Sequence, residues 1–298
     1  MAHPISNINK GQQNAVAAAF WVIGTTISFI LMMIAVRELS TKMSSFEILS
    51  FRSIIGIPIM CLIAWKIGFS RIRTRRPKMQ IVRNSFHFLG QWCWVLGITM
   101  LPMAHVTALE YTMPMWTAII AIIFLKEPIR SHRIIAILFG LAGVLIILRP
   151  GIEIITDGAI IVLIGAFFYG ASNVLVKALT KDDPPWAIVF WMQIIQLPLT
   201  LLPALFLYDW VWPIWADAPW LIAMGCTGIS AHFCLARALQ LADATVCIPI
   251  DFIRLPMTAI IGWLIYNEQV SIWVLLGALI IFGSNYFSVW RESRIGTN

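Results

Sequence analysis

Charged side chains are scarce in this sequence, at 12% of its 298 residues, whereas an ordinary soluble domain carries about 25%. Hydrophobic residues make up 60% of the chain, and the mean hydropathy is +0.85. A soluble fold of this length has too small an interior to bury so much apolar surface. The composition therefore excludes a soluble globular protein and predicts a polytopic membrane protein whose outside is covered by the lipid bilayer.

Sequence signatures of catalysis and metal binding are absent as well. The chain contains no HExxH, GxSxG or Walker A motif, so neither a hydrolytic site nor an ATP-driven motor is indicated. The five cysteines show no CxxC spacing and fall in apolar stretches, which predicts packing roles rather than a metal site or disulfides. A membrane enzyme is the alternative from another class, but the ionisable residues are too scattered to define a catalytic set. We expect no enzymatic activity and no cofactor.

Ten apolar segments are long enough to cross a bilayer, which takes about 20 residues. Four of them contain no Asp, Glu, Lys or Arg, and they cover residues 15–36, 158–176, 184–208 and 269–290. Six weaker segments cover residues 46–65, 84–101, 104–125, 132–149, 218–240 and 244–266. These runs are continuous and do not alternate as the strands of an outer-membrane barrel do. The predicted fold is an all-α membrane protein with ten transmembrane helices.

Lys and Arg are distributed unevenly among the predicted loops. If the N-terminus is cytoplasmic, 16 of the 21 basic residues lie in cytoplasmic segments, including the run RIRTRR at 71–76. The positive-inside rule then places both termini and the loop at 66–83 in the cytoplasm, with the protein in the inner (plasma) membrane. Beside helix ends, such a basic run is typical of a topology anchor, and we expect no nucleic-acid partner.

An apolar phrase flanked by acidic residues occurs twice in the chain. Residues 110–127 read EYTMPMWTAIIAIIFLKE and residues 251–268 read DFIRLPMTAIIGWLIYNE, with TAII at the same place in both. The two phrases fall in the fourth and ninth segments, which predicts two five-helix repeats at 15–150 and 158–291. An odd number of crossings inverts the second repeat, and inverted repeats are typical of secondary transporters that bind their substrate near the membrane midplane.

These features resemble the EamA-type transporters of the drug/metabolite transporter superfamily. The resemblance is carried by Pro114, which precedes Glu127 by 13 residues, and by the stretch HFCLARALQLADATVCIPIDFIRLPMTAIIGWLIYNE at 232–268. It implies transport of a small molecule, but the superfamily moves amino acids, nucleotides, vitamins, amines and drugs. Leu255 stands where the first repeat has Pro114, so the two halves have diverged.

Polar residues inside the predicted spans are the candidates for substrate binding, because a charge at mid-membrane costs about 2.5–3.5 kcal/mol on insertion scales. Glu110 and Asp251 occupy matching positions in the two repeats. These acids or a histidine are candidates for carrying protons as the coupling ion, and exchange of one solute for another is the alternative. The spacing of His87, Gln91 and Trp94 places them on one helical face. The predicted substrate-binding set is Glu110, Asp251, His87, Gln91, Trp92, Trp94, Trp116, Arg52, Arg254 and His232.

Other interpretations of these residues remain open at this point. Asp251 and Arg254 are spaced as a structural ion pair, and Arg52 is explained equally by pairing across helices, by a carboxylate-binding role or by snorkelling towards an interface. Glu127 and Glu268 end their helices, where capping and solvation explain them adequately. Both charge signs together with aromatic faces favour a small zwitterion or amine-bearing metabolite, such as an amino acid or a derivative. The alternative is a larger aromatic or cofactor-like solute.

Overall fold

The computed structural model describes residues 4–124, 131–149, 156–180, 182–242, 247 and 250–295, and the regular elements in these ranges are helices. The α-helices are α1 (Pro4–Leu39), α2 (Ser45–Ile67), α3 (Pro77–Met100), α4 (Met103–Glu110), α5 (Met113–Phe124), α6 (Ser131–Leu148), α7 (Asp157–Leu179), α8 (Pro185–Leu207), α9 (Ala218–Leu241), α10 (Arg254–Tyr266) and α11 (Ile272–Ile295). Two 3₁₀ helices cover Phe69–Ile72 and Trp215–Asp217. This confirms the all-α prediction for the part of the chain that is described.

Eight helical stretches in the described ranges are long and apolar enough to cross a membrane. They are Val16–Leu39, Ser45–Ile67, Met103–Phe124, Ser131–Leu148, Asp157–Leu179, Trp186–Leu207, Trp215–Leu241 and Ile272–Arg291. They correspond to eight of the ten predicted segments, and Met103–Phe124 combines α4 and α5. The predicted segment 84–101 lies in α3, whose buried face is polar, and 244–266 contains α10 together with several positions outside the described residues. The chain is a multi-pass membrane protein.

Apolar side chains cover much of the surface, and polar side chains occupy much of the interior. Large hydrophobic residues such as Phe20, Trp65 and Phe206 are 72%, 70% and 81% exposed. In contrast, Arg52 and Asn84 are fully buried among the helices. Apolar side chains on the surface and buried polar side chains are what a bilayer requires, because lipid accepts apolar side chains and polar groups need protein partners.

The helices pack in pairs that follow a simple rule. The most extensive contacts join α1 with α9 and α3 with α7, and further contacts join α2 with α8, α4 with α10 and α6 with α11. When α4 and α5 are counted as one segment, each of the last three pairs joins helical segments that are five apart in the chain. Moving both members of the α1–α9 pair by five segments gives the α7–α3 pair, so the first two pairs follow the same shift. The rule places α4 and α10 beside each other in the interior.

Glycines allow two of these helix pairs to approach closely. A Cβ atom on Gly90 of α3 or on Gly165 of α7 would lie 3.1 Å from the other residue's carbonyl oxygen. Between α6 and α11, a Cβ on Gly277 would lie 2.5 Å from the Gly143 carbonyl oxygen and 2.5 Å from Ile147 Cγ1. Small residues at helix crossings are a general device in membranes, where close van der Waals packing holds helices together.

Gly277→Ala is expected to lower the thermal stability of the detergent-purified protein, because the new methyl group meets a backbone oxygen that cannot rotate away. Overpacking of this kind costs about 1–3 kcal/mol. Gly283→Ala on the same helix is the matched control, since a Cβ there meets nothing within 4 Å. Melting curves followed by intrinsic tryptophan fluorescence should show a loss for the first variant alone. Equal melting of the two variants would contradict the close approach of α6 and α11.

Polar contacts between loops define two opposite faces of the helix bundle. On the first, Lys42 Nζ contacts Asp217 Oδ1 at 2.8 Å, and the α10–α11 loop is joined to the ends of α1 and α3 through Glu268. On the second, Arg76 Nε contacts Asp182 Oδ2 at 2.5 Å. Asp183, next to Asp182, lies on the second surface and accepts a hydrogen bond from the Arg75 backbone N–H. We call these surfaces the Glu268 face and the Asp183 face.

Candidate functional site

The helical segments are interrupted at both places where the repeated phrase begins. Helix α4 ends at Glu110, and α5 begins at Met113 after a turn. In the second phrase, Asp251 is helical, and residues 252 and 253 form the turn that precedes α10, which begins at Arg254. Discontinuous helices expose polar backbone and side-chain groups at membrane depth, and in transporters they form substrate and ion sites. Glu110 and Asp251 each lie directly at such an interruption.

Glu110, Asp251, Arg254 and Trp94 are brought together at this interruption, and we call this group the acidic centre. Glu110 Oε1 accepts a hydrogen bond from Arg254 Nη1 at 3.3 Å, and Glu110 Oε2 accepts one from Trp94 Nε1 at 3.0 Å. Arg254 Nη2 lies 3.7 Å from Asp251 Oδ2. The side chains of Glu110 and Arg254 are only 10% and 5% exposed. One guanidinium therefore serves two carboxylates, of which Glu110 is nearly buried and Asp251 is 25% exposed.

Aromatic rings enclose the Arg254 guanidinium. Its Cζ atom lies 4.8 Å from the Phe29 ring centroid and 5.1 Å from that of Tyr111, within the range of cation–π attraction. The Tyr111 hydroxyl donates to the Asp251 carbonyl oxygen at 2.8 Å, and the Tyr111 ring lies 5.4 Å from Phe252. These contacts fix the position of Arg254 and join the two interrupted crossings.

A second group surrounds Arg52 and contains three more of the predicted residues. Arg52 Nη1 donates to Gln91 Oε1 and Gln196 Oε1, each at 3.1 Å. The Gln196 amide also lies 2.8 Å from His87 Nδ1, and the His87 ring is 5.7 Å from the His232 ring. Arg52 thus forms cross-helix hydrogen bonds and does not snorkel to an interface. We call Arg52, Arg83, His87, Gln91, Gln196 and His232 the basic centre.

Arg83 is a member of the basic centre that the sequence prediction omitted. It is 5% exposed, and its Nη1 donates to Asn84 Oδ1 at 2.6 Å. Arg83 lies one helical turn before His87 on α3, so the two side chains share a face. The available signal was the spacing of Arg83, His87 and Gln91 at four-residue intervals. It was overlooked because the positive-inside count assigned Arg83 to a cytoplasmic loop.

The two centres are neighbours. Gln91, which binds Arg52, lies three residues from Trp94, which binds Glu110, and this is about 4.5 Å along the helix axis. Phe29 forms a second link, because it lies under Arg254 and its ring is 6.4 Å from that of His232. Eight of the ten predicted site residues therefore belong to one continuous polar group inside the bundle.

Trp92 and Trp116 lie apart from this group. The Trp92 indole donates to Ser45 Oγ at 2.9 Å and stacks on Phe46 at 5.1 Å, near the start of α2. Trp116 packs edge-to-face on Phe167 of α7 at 5.7 Å. These contacts place both tryptophans against neighbouring helices, and their substrate-binding role stays a prediction.

Glu268 has a larger role than helix capping. Its carboxylate forms an ion pair with Arg37 and accepts a hydrogen bond from the Met103 backbone N–H at 2.8 Å. Arg37 Nη2 also donates to the Leu101 carbonyl oxygen at 3.0 Å. The side chains of Arg37 and Glu268 are 21% and 10% exposed, so solvation does not explain Glu268. The pair ties the end of α1 to the α3–α4 turn and the end of α10. Glu127 lies outside the described residues.

Asp183 forms the corresponding junction on the opposite face. Its carboxylate accepts hydrogen bonds from the Arg75 backbone N–H at 2.7 Å and the Gln80 amide at 2.9 Å, and it also binds the Thr74 hydroxyl. Partial desolvation acts to raise the pKa of Asp183, but these three hydrogen bonds and the charge of Arg76 outweigh it and hold the pKa below its usual value. Asp183 is therefore a stable acceptor at neutral pH.

A cavity of about 370 Å³ lies between α5, α6, α7 and α11. Its lining includes Pro114, Thr117 and Asn173, with Arg133 and Lys177 at its edge. None of the ten predicted site residues lines it. It adjoins the α4–α5 interruption, because Asn173 Nδ2 lies 3.3 Å from Met113 Sδ at the start of α5.

A multi-pass helical bundle with interrupted crossings and buried charges at the interruptions defines a membrane transporter rather than an enzyme. The EamA-like transporter family matches the chain twice, over residues 16–149 and 156–290. The chain belongs to this family, which confirms the resemblance noted from the repeated phrase.

Relatives with assigned activities are similar over most of their length. The chain is 26% identical to an S-adenosylmethionine uptake transporter of Rickettsia bellii, covering 87% of this chain and 88% of that protein. It is 27% identical to a riboflavin transporter of Rhizobium johnstonii, covering 94% and 93%, and 26% identical to a pseudopaline exporter of Pseudomonas aeruginosa, covering 92% and 94%. A crystal structure with 14% sequence identity superposes with a TM-score of 0.64 over 94% of this chain and 99% of the other, which shows the shared fold alone.

Proposed function

We propose that the protein is a secondary transporter of a small organic solute that carries an amine, a zwitterion such as an amino acid or a derivative. The observation that carries the proposal is the charge balance of the acidic centre. Two carboxylates, Glu110 and Asp251, meet one guanidinium, Arg254. When all three are ionised, one negative charge is left in a largely buried site, and a solute ammonium group would neutralise it.

The proposed architecture is ten transmembrane helices arranged as two inverted repeats, 15–150 and 158–291. The helix pairing supports it, because a two-fold relation between the repeats requires each crossing to pack on its counterpart or to exchange partners with it. Alternating access would follow from rocking one repeat against the other around the acidic centre. In the proposed orientation the protein lies in the inner membrane with both termini in the cytoplasm. The Glu268 face then points away from the cytoplasm.

Protons are the proposed coupling ion, with Asp251 as their carrier. Within the described structure its Oδ1 atom is buried and has no hydrogen-bond partner, and its other oxygen lies 3.7 Å from the shared Arg254. A carboxylate that is only partly compensated is the one that takes up a proton when the ammonium group leaves. Exchange of a proton for the solute would then keep the charge of the centre constant.

A larger aromatic solute is the second candidate, and the aromatic rings near the acidic centre favour it. Phe29 and Tyr111 supply two flat faces, but both contact Arg254 here, so a stacked solute would have to displace the guanidinium. The riboflavin and S-adenosylmethionine relatives make these two compounds the natural first probes.

Uptake into proteoliposomes without ATP tests the proposed function. The panel contains S-adenosylmethionine, riboflavin, amino acids, amines and nucleosides, each measured with and without an imposed pH gradient. We expect an amine-bearing solute to accumulate, and to accumulate faster when the vesicle interior is more acidic than the outside, because the protein exchanges protons for the solute. Uptake of riboflavin alone would replace the amine proposal with the aromatic one. Uptake that required ATP would contradict secondary transport.

A further inference from the structure

Arg52 and Arg83 are buried cations that have no carboxylate partner within the described part of the chain. They are 1% and 5% exposed, and none of the acidic residues that the structure describes is ion-paired with either one. Burying a guanidinium away from water is costly unless a charge compensates it. Amide oxygens satisfy part of their hydrogen bonding, but they bring no negative charge.

Several donors near these cations are unused. Within the described ranges, the Nε atoms of Arg52 and Arg83 are buried without a hydrogen-bond partner, and so is the side-chain amide of Gln193. Gln193 lies one turn before Gln196 on α8 and packs against Gly56, one turn after Arg52 on α2. Buried donors are normally paired, and each exception calls for a ligand or another physical cause.

The geometry points to an oxyanion site: we propose that Arg52 and Arg83 bind a carboxylate or phosphate group of the transported solute. Arg52 shares Gln196 with His87, and Arg83 lies one turn before His87 on α3, so both arginines are near neighbours of the same histidine. Guanidinium groups bind planar carboxylates and phosphates through paired N–H donors, and Arg83 Nε is such an unused donor. Arg52 Nε packs against Gly228 of α9, where a Cβ would lie 2.5 Å from it, so only glycine at this position leaves space for the Arg52 guanidinium.

The position of this site makes the proposed function more specific. The role in transport rests on that function, whereas the binding of an anion does not. Because Gln91 and Trp94 are one turn apart on α3, the basic and acidic centres can hold the anionic and ammonium groups of one small molecule. The solute class is then a compound with an amine and an oxyanion a few bonds apart.

Thermal melting of the purified full-length protein in detergent tests the anion site. The probes are sodium acetate and sodium phosphate, each compared with sodium chloride at equal ionic strength. We expect at least one of them to raise the wild-type melting temperature by 2 °C or more above chloride, on the order of the few-degree shifts that binding produces. Acetate alone indicates a carboxylate group in the solute, and phosphate alone indicates a phosphate group.

Arg83→Gln and Arg52→Gln should each abolish that shift, and Arg52→Lys should keep part of it. The matched control is Arg237→Gln, which removes an exposed cation of α9 and should preserve the shift. In chloride, Arg83→Gln should melt at or above the wild-type temperature, because it removes one of two uncompensated like charges. If Arg83 instead stabilised the fold, Arg83→Gln would melt below the wild-type temperature in chloride.

Three outcomes would overturn the site: no wild-type shift beyond chloride, the same shift in the Arg83 and Arg237 variants, or melting of Arg83→Gln well below wild type in chloride. These results are independent of the uptake panel. If the anions do not raise the melting temperature but amine uptake is intact, the anion site is rejected and the proposed function stands. If the anions raise the melting temperature but no solute is taken up, the anion site stands and the transport role is rejected.

Discussion

Glu110→Gln is expected to reduce solute uptake by about ten- to hundredfold. The amide oxygen of Gln can still accept from Trp94 but not from Arg254 as well, so the substitution removes the negative charge and one of the two hydrogen bonds to Glu110. A hydrogen bond to a charged group contributes about 1.5–3 kcal/mol, and each 1.4 kcal/mol corresponds to about a factor of ten. Initial uptake rates in proteoliposomes, with the best solute of the panel, give the measurement.

Two controls separate the charge of Glu110 from its structural contacts. Asp209→Asn removes an exposed acid and should transport at the wild-type rate. Trp94→Phe deletes the indole donor but keeps the Glu110 charge, so we expect a smaller loss than for Glu110→Gln. Melting temperatures of all variants show whether they are folded. Wild-type uptake by a folded Glu110→Gln protein would refute the acidic centre as the amine site.

Glu268→Ala is expected to lower the free energy of unfolding by about 3–5 kcal/mol, more than the other substitutions proposed here, because it leaves the partly buried Arg37 charge uncompensated. It also leaves the Met103 N–H without its acceptor. Lys42→Ala, on the same face, is the matched control. Its ammonium group is about half exposed, and exposed pairs contribute about 0–1 kcal/mol. Thermal or denaturant unfolding in detergent, under conditions where it is reversible, provides the comparison.

The double variant distinguishes an ion pair from two independent contacts. When Arg37→Ala is combined with Glu268→Ala, no orphan charge remains, so the loss should be smaller than the sum of the two single losses. Strict additivity would contradict the pairing. The Arg37–Glu268 pair joins helix ends across the Glu268 face. Its loss should therefore also make cysteines introduced beneath this face more accessible from that side to impermeant thiol reagents.

The helical membrane fold, the family and the absence of enzymatic motifs could be predicted from the sequence, because each depends on composition or on a long pattern. Lipid imposes continuous apolar runs that are visible without any tertiary information. The repeated phrase was equally visible because it preserved TAII at a fixed distance from an acid. The count of ten crossings, the orientation and the binding roles remain predictions that the experiments above test.

The contacts of individual residues were less predictable, because they depend on which helices are neighbours. The positions of Glu110, Asp251 and Arg254 indicated a meeting of the two repeats, and the three side chains do meet. Trp92 and Trp116 were selected for their residue type, but the helix faces that carry them turn towards α2 and α7. Glu268 was interpreted from its position at a helix end, where sequence cannot indicate that Arg37 approaches from 231 residues away.

The contact between Tyr111 and Phe252 joins two positions that correspond in the two halves of the chain. In a dimer of two identical halves, the residue at this position would contact the same residue of the other half. Two like charges would then repel each other, whereas two aromatic rings can stack. Identical halves also contribute every charge twice, and their shared site can carry only an even net charge. Arg254 corresponds to Met113 in the first half, so a single cation stands between two acids. An odd charge at the centre, which one proton or one ammonium group can cancel, is available only because both halves belong to one chain and have diverged.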